Sequence, residues 1–300
     1  MSVNPQPREQ VQYADLSDEK LKKSAGLIQI KGEHLGNTLN VEPDVIYDNI
    51  RHSIALGLPQ IFPHPLAPYK VAIIGGGPSL KYFVEDIRAR FWRGDKIIAL
   101  NNAYNWLIDN NIRPSAIVMA DSRDFMARFV ERDVPTCKYF IASQCAPEVF
   151  AEVMDRETYI WHCCNDETEV EILDEYYLGP NYVPIAGGST VALRAIGLLR
   201  TLGYQYMDLF GVDSCIMDGE HHAYEQPEND DFETKKVVYA GQTFICTQWM
   251  VKQYRDFLSF LSRDGNQFFI NVHGDGLLAY ALRVNAQVCL DELDQQAKGE

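Results

Sequence analysis

The chain has 300 residues, 46% of them apolar and 23% charged, a composition that excludes a disordered or fibrous chain and suits one large domain or two modest ones. Acidic residues number 42 against 27 basic ones, a formal net charge of -15, and no run of Lys and Arg overrides it, so nucleic acid is excluded as an expected partner. No apolar run reaches the roughly 18 residues of a membrane span, and residues 1–23 lack a signal-peptide core; the expectation is a soluble, cytoplasmic protein.

In chain order, residues 1–31 are polar and weakly periodic, as in a flexible lead-in or a short accessory helix. Val45, Ile46, Ile50 and Ile54 then recur at helical spacing across 43–56. Pro59, Pro63, Pro65 and Pro68 follow and mark a boundary. From Lys70 onward short β-branched runs alternate with helical patterns. The spacing predicts strands at 71–74, 97–100, 116–120, 139–142, 159–161, 207–210 and 268–271. It predicts helices at 80–91, 104–110, 123–131, 147–154, 167–176, 189–202 and 247–261. This alternation predicts a Rossmann-like α/β fold, a mostly parallel sheet with helices on both faces and a small helical N-terminal addition. The expected division is an N-terminal helical or flexible addition (1–67), a nucleotide-binding catalytic domain (68–290) and an acidic tail (291–300).

Five segments carry candidate chemistry. Gly75, Gly76, Gly77, Pro78 and Ser79 follow a buried strand and open a helix. Glycines permit positive φ and a close backbone approach, and a helix N-terminus favours an anion, so this loop is the expected nucleotide site. It fits neither the dinucleotide fingerprint nor the P-loop. Asn101 and Asn102 end the next strand, where amides can read a base or sugar, or cap the helix. Asp121 and Arg123 end the third strand; Asp121 suits a sugar hydroxyl or a metal ion, and Arg123 a phosphate. Gly187, Gly188, Ser189 and Thr190 open another helix and form a second anion-competent terminus. Asp213 ends a later strand, and the loop beyond it carries Asp218, His221 and His222, with imidazole the usual proton acceptor near neutral pH. The seven cysteines include the adjacent Cys163 and Cys164 but no Cys-x-x-Cys pair. They match no common zinc spacing and read as reduced, mostly buried thiols, and no protein metal site is expected.

The order of these segments resembles the family that holds bacterial motility accessory factors and the archaeal-type 6-hydroxymethylpterin diphosphokinase. It is also similar to bacterial sialyltransferases that use CMP-activated sugars. The resemblance covers roughly residues 70–282. The stretch from Asp218 to His222 and Ala223 looks like the accessory-factor loop ending in Thr-His-Ala, which matches His222 to the family histidine. Phe269-Ile-Asn271 with Gly274 and Gly276 looks like that family's last strand and glycine turn. Gly76 stands where sialyltransferase-like loops carry Asn, and the acidic Asp-Gly-Asp loop of the pterin enzyme has no counterpart.

The resemblance implies a transferase with a nucleotide-activated donor, most simply a glycosyltransferase using a CMP-sugar without a cofactor. In that reading Gly75, Gly76, Gly77 and Ser79 hold phosphate. Asn101, Asn102 and Asp121 line the nucleotide site, and Gly188, Ser189 and Thr190 contact the donor. His222 acts as base or orients the acceptor, and Asp213 holds its loop. One rival is a Mg-ATP-dependent diphosphokinase acting on a pterin-like alcohol, with Asp121, Asp213 and Asp218 as magnesium ligands. Another is a non-catalytic nucleotide-binding module. The acceptor and any homo-oligomer stay open.

Overall fold

The computed structural model describes residues 29–30, 41–185, 187–226, 233–263 and 269–284. In chain order the elements are β1 (Gln29–Ile30), α1 (Pro43–Ala55), β2 (Ala67–Ile74), a 3-10 helix (Pro78–Tyr82), α2 (Val84–Trp92), β3 (Lys96–Leu100), α3 (Ala103–Asp109) and β4 (Ala116–Met119). A second 3-10 helix (Asp124–Phe129), β5 (Lys138–Ala142), α4 (Pro147–Val153), β6 (Thr158–Trp161), α5 (Glu167–Tyr177), α6 (Val191–Thr201) and β7 (Tyr204–Phe210) follow. The chain continues through β8 (Thr234–Tyr239), β9 (Gln242–Thr247), α7 (Gln248–Arg263) and β10 (Phe269–Val272), and a last helix, α8, covers 277–284.

Seven strands make one sheet in the order β10-β7-β2-β3-β4-β5-β6, with every pair parallel. Parallel strands end at the same edge, so the loops after β2, β3, β4, β5, β6, β7 and β10 gather along it. The strands are apolar on both faces because helices surround the sheet: Val71, Ala72, Ile73 and Ile74 are fully buried. From β2 the chain builds outward to β6, then returns to lay β7 on the other side of β2. The strand order therefore reverses between β2 and β7, the place where open α/β sheets leave a crevice for ligands. The predicted Rossmann-like fold is the observed one.

Several local expectations are corrected. β2 starts at Ala67 and not at residue 71; its first half is largely exposed, and a bulge between Ala67 and Lys70 accommodates Pro68, which has no N–H to pair. The helix expected over 80–91 divides into the 3-10 helix and α2, because Phe83, at φ -112 and ψ 11, leaves the helical path. The helix expected over 123–131 is the second 3-10 helix, whose buried Met126 and Phe129 lie three residues apart, the spacing that eclipses in this geometry. In α1 the buried stripe is Ile46, Ile50 and Ile54, while Val45 is exposed.

The hairpin β8–β9 was not predicted. It turns through Ala240 and Gly241 at φ 45° and 83°, a two-residue connection with both centres left-handed, and β1 adds antiparallel to β8. The six described cysteines are free thiols, all but Cys164 buried, and burial pushes Cys137 and Cys163 up to about 12. No helix among the described residues is long and apolar enough to cross a membrane. The lead-in 1–28 and the tail 291–300 lie outside the described residues.

Candidate functional site at the sheet switch point

The glycine loop after β2 packs directly on the loop after β7. Gly75 donates its N–H to the Phe210 carbonyl at 2.8 Å and Gly77 donates to Gly211 at 2.7 Å. Ser79 donates its N–H to Asp213 Oδ2 at 2.9 Å. A Cβ on Gly75 would run into the Gly211 carbonyl, and one on Gly77 would meet the Asp213 carboxylate and Gly211 O. The glycines are needed for close approach between loops. The left-handed φ expected at them is found instead at their neighbour Gly211, at 63°. A five-residue 3-10 helix follows the loop, so the expected α-helix N-terminus is not formed there. Three of the loop's amides are committed within the protein, and among the described residues none accepts the Gly76 N–H.

Asp213 is buried in a cage. Oδ2 holds Ser79, while Oδ1 and the Ser79 hydroxyl are buried without a hydrogen-bond partner. A Cβ on Gly274 would lie 2.9 Å from Ser79 Oγ, and one on Gly276 2.6 Å from Asp213 Cα, so these two glycines close the cage. Burial pushes the Asp213 carboxyl up, against its contacts with Ser79, which lower it.

The segment after Asp213 folds back across the glycine loop. Met217 and Glu220 pair across the turn Asp218-Gly219, whose φ values are 54° and 82°. Asp218 is thus the exposed tip of a turn. Glu220 meets Lys81 at 3.1 Å. Ala223 donates its N–H to the Gly76 carbonyl at 3.0 Å, and His222 Nδ1 reaches the same oxygen at 3.3 Å. A carbonyl only accepts, so Nδ1 is the donor in this contact. Tyr224 stacks nearly parallel to the His222 ring, at 5.8 Å and 12°. The histidine singled out by sequence therefore rests on the glycine loop singled out by sequence.

Asn101, at φ 47°, places Oδ1 in a buried position without a partner. Asn102 sits at the start of α3, where its Oδ1 accepts from Asn105 at 3.1 Å and makes no side-chain cap. The Asp121 carboxylate is gripped by Arg123 through Nε at 3.0 Å and a terminal nitrogen at 2.6 Å. The two residues neutralise each other, so neither is unpaired for a ligand. Asp121, Asp213 and Asp218 do not assemble as a metal site; among the described residues no three His, Cys, Asp or Glu do.

The second glycine turn is also committed. Thr190 caps α6, accepting from Leu193 N–H, and Gly188 adopts φ 91°. The Ser189 N–H goes to Asp256 Oδ2 at 2.9 Å, so a carboxylate already occupies the anion-favouring end of this helix. Gln253 on α7 donates to Thr190 Oγ1 at 3.0 Å and accepts from Ser214 Oγ at 2.8 Å, tying this turn to the Asp213 loop. On the other side, Arg194 donates to the carbonyls of Gly188, Cys163 and Ile185 and to the Asn165 side chain. Asn165 donates to Gln144, which donates to Ala120 beside Asp121. Polar side chains thus stitch the rim from the β4 loop to the β7 loop. Sequence reading missed Tyr224, Arg194, Gln144, Asn165, Gln253 and Asp256. Only Tyr224 carried a local signal, being an aromatic two residues from His222.

A further cluster joins β7, β10 and α2. Asp208 takes Arg90 at 2.7 Å and His273 Nε2 at 2.8 Å, with Asn271 at 3.1 Å, and the His273 ring lies flat on Phe210 at 4.1 Å. Burial alone would raise the Asp208 carboxyl, but His273, Arg90 and Asn271 together hold it down to about 2.

Residues 46–219, more than half of the chain, match the family described as 6-hydroxymethylpterin diphosphokinase MptE-like. The chain belongs to the MptE-like family. The fold of this MptE-like chain is similar to that of the MAf glycosyltransferase from Magnetospirillum magneticum AMB-1, with a TM-score of 0.59 at 17% identity. The likeness covers 77% of this chain and 37% of that one, so the MptE-like chain spans well under half the length of that enzyme. No curated protein matches it. The family resemblance read from the order of motifs is borne out by the matched family.

Proposed function

We propose that the chain is a nucleotide-dependent transferase whose donor lies in the crevice over the β2 and β7 loops. The observation that carries this is the His222–Gly76 contact, which puts an imidazole on the glycine loop at the switch point. Gly76 N–H is the loop amide left for a phosphate oxygen; Ser79, Gly75 and Gly77 hold the loop in shape. Asn101 and Asn102 face the base or sugar, and the Asp121–Arg123 pair, Gly188, Ser189 and Thr190 border the donor. The acceptor hydroxyl gives its proton to His222 Nε2 as its oxygen bonds the anomeric carbon. The bond from that carbon to the phosphate oxygen breaks, and its electron pair leaves with the nucleotide. Asp213 acts through the loop that it holds.

The charge balance supports a donor with a single phosphate, such as a CMP-sugar. Lys81, Arg123, Lys252 and Arg283 are each in ion pairs with Glu220, Asp121, Asp256 and Asp275, and Arg194 is spread over four neutral acceptors. Of these five cations only Arg194 keeps an uncompensated charge, which suits one phosphate better than three. The structural relative is itself a glycosyltransferase, which agrees with this choice.

A second reading is diphosphoryl transfer from ATP, favoured by the description of the matched family. The buried, unpartnered Oδ1 of Asp213 fits one carboxylate ligand of a magnesium ion whose other ligands come from phosphates and water. When bound, that ion would neutralise phosphate charge.

A thermal-shift panel of CMP, UDP, GDP and ATP, each with and without Mg²⁺, separates the two. A ligand at about 100 times its Kd stabilises the fold by about 2.7 kcal/mol. Stabilisation by CMP without Mg²⁺ is expected, a Mg·ATP preference moves the assignment to the kinase reading, and no response to any nucleotide removes both.

A further inference from the structure

We infer that Tyr224 is the positioning residue for His222, and that position 76 is a glycine in order to seat the Tyr224 ring. The inference rests on His222 as the proton acceptor of the proposed reaction. Three observations meet at this point. First, the Gly76 backbone is not left-handed, as positive φ is confined to other glycines, so no conformational demand excludes a side chain there. Second, a Cβ at Gly76 would collide with the Tyr224 hydroxyl and lie 3.0 Å from Tyr224 Cζ and 3.2 Å from His222 Nδ1. Gly75 and Gly77 are different, because they are closed off by the Gly211 backbone and the Asp213 carboxylate. Third, the ring that occupies this space runs almost parallel to the imidazole, and the intervening Ala223 anchors its N–H on Gly76 O.

The imidazole is thus held at Nδ1 by the Gly76 carbonyl and along its face by Tyr224. Burial pushes the Tyr224 phenol up, so it stays neutral and adds no charge beside the histidine. An aromatic face laid along the imidazole favours one ring orientation over the others. The tyrosine thus adds a restraint on the ring's face to the hydrogen bond at Nδ1. The middle glycine of the loop then belongs to the catalytic histidine as much as to the donor.

The test is a double-mutant cycle between positions 76 and 224, read by NMR on the full chain with the His222 imidazole resonances assigned through their loss in His222→Asn. Tyr224→Leu should shift the His222 resonances and their titration, and Gly76→Ala should produce the same change by displacing the ring. The double variant should show no more than Tyr224→Leu alone, because both single changes break one contact. Tyr224→Phe, which keeps the stacked ring, should restore the wild-type His222 signature. In turnover assays with an identified acceptor, Tyr224→Leu should lower kcat by about 100-fold, the scale of a small misplacement, with little change in donor KM. If Gly76→Ala alone fails to fold, the double variant must fold, since the obstructing ring is gone. Additive shifts, an unmoved His222 in Gly76→Ala, or a double variant that stays unfolded overturns the inference. His222→Asn separates this from the functional reading: full turnover there removes the catalytic role of His222 even if the seating contact is confirmed.

Discussion

The Asp213 carboxylate accepts the buried Ser79 N–H at 2.9 Å and thereby ties the loop after β7 to the loop after β2. Removing it strands a buried donor, whereas an amide in its place still accepts. Asp213→Ala should therefore lose about 1–3 kcal/mol, the cost of an unsatisfied buried group. Asp213→Asn should behave differently. The raised carboxyl favours the fold at low pH, and that contribution disappears as pH rises through its folded value. At neutral pH the asparagine escapes the burial of a charge and should stay within about 1 kcal/mol of wild type. Urea unfolding of both variants checks this; equal losses would contradict the hydrogen-bond account.

His222→Asn should reduce turnover by at least about 100-fold while nucleotide affinity stays within a few-fold. Asparagine can bond the Gly76 carbonyl but offers no basic nitrogen. His221→Asn is the control, since it is His222 that contacts Gly76 O. Full activity in the His222 variant, with donor and acceptor identified, removes the base assignment. Loss in the His221 variant alone moves it to the neighbouring histidine.

Asp208 predicts an acid-labile edge to the sheet. Its carboxyl sits near 2 in the fold against an ordinary 3.8. The contribution is complete above about pH 4 and is lost as pH falls toward about 2, roughly 2 kcal/mol in all. Asp208→Asn should lose a similar amount at neutral pH and flatten the acid limb of the stability curve. Hydrogen exchange should show β10 opening first, because His273 and Asn271 reach β7 through this carboxylate. An unchanged acid limb would show that other carboxylates set it.

His162 acts in a higher window. Both ring nitrogens are buried without a hydrogen-bond partner, edge-on to Tyr177 and Tyr182, and burial lowers the imidazole to about 4. A lowered histidine stabilises the fold above its ordinary 6.5, and that contribution is lost as pH falls from there to about 4, roughly 3 kcal/mol. His162→Phe should remove this slope while keeping the ring contacts. Stability measured at pH steps across that window tests it, and a slope as steep as wild type would point to another group.

Much of the frame was legible because the signals are local. The buried runs at 71–74 and 97–100 and the stripe Ile46, Ile50 and Ile54 each announce their element through spacing alone. Ala240-Gly241 could have announced the hairpin, since its flanks alternate, but the left-handed alanine is an unusual turn residue. The order of the loops at the carboxyl edge was also readable, because a parallel sheet delivers every such loop to one side.

The sequence by itself determined the parallel sheet, the edge where chemistry can gather and the family, since hydrophobic periodicity and motif order are properties of the chain. The tertiary structure alone decided how the conspicuous residues are used. Gly75 and Gly77 make room for Gly211 and Asp213, Gly76 makes room for Tyr224, Arg123 closes on Asp121, and Asp256 occupies the helix end at Ser189. The physical reason is that a polar group's availability depends on which partner reaches it first. Those partners lie as far away in sequence as Ser79 and Asp213, where no local pattern records the meeting.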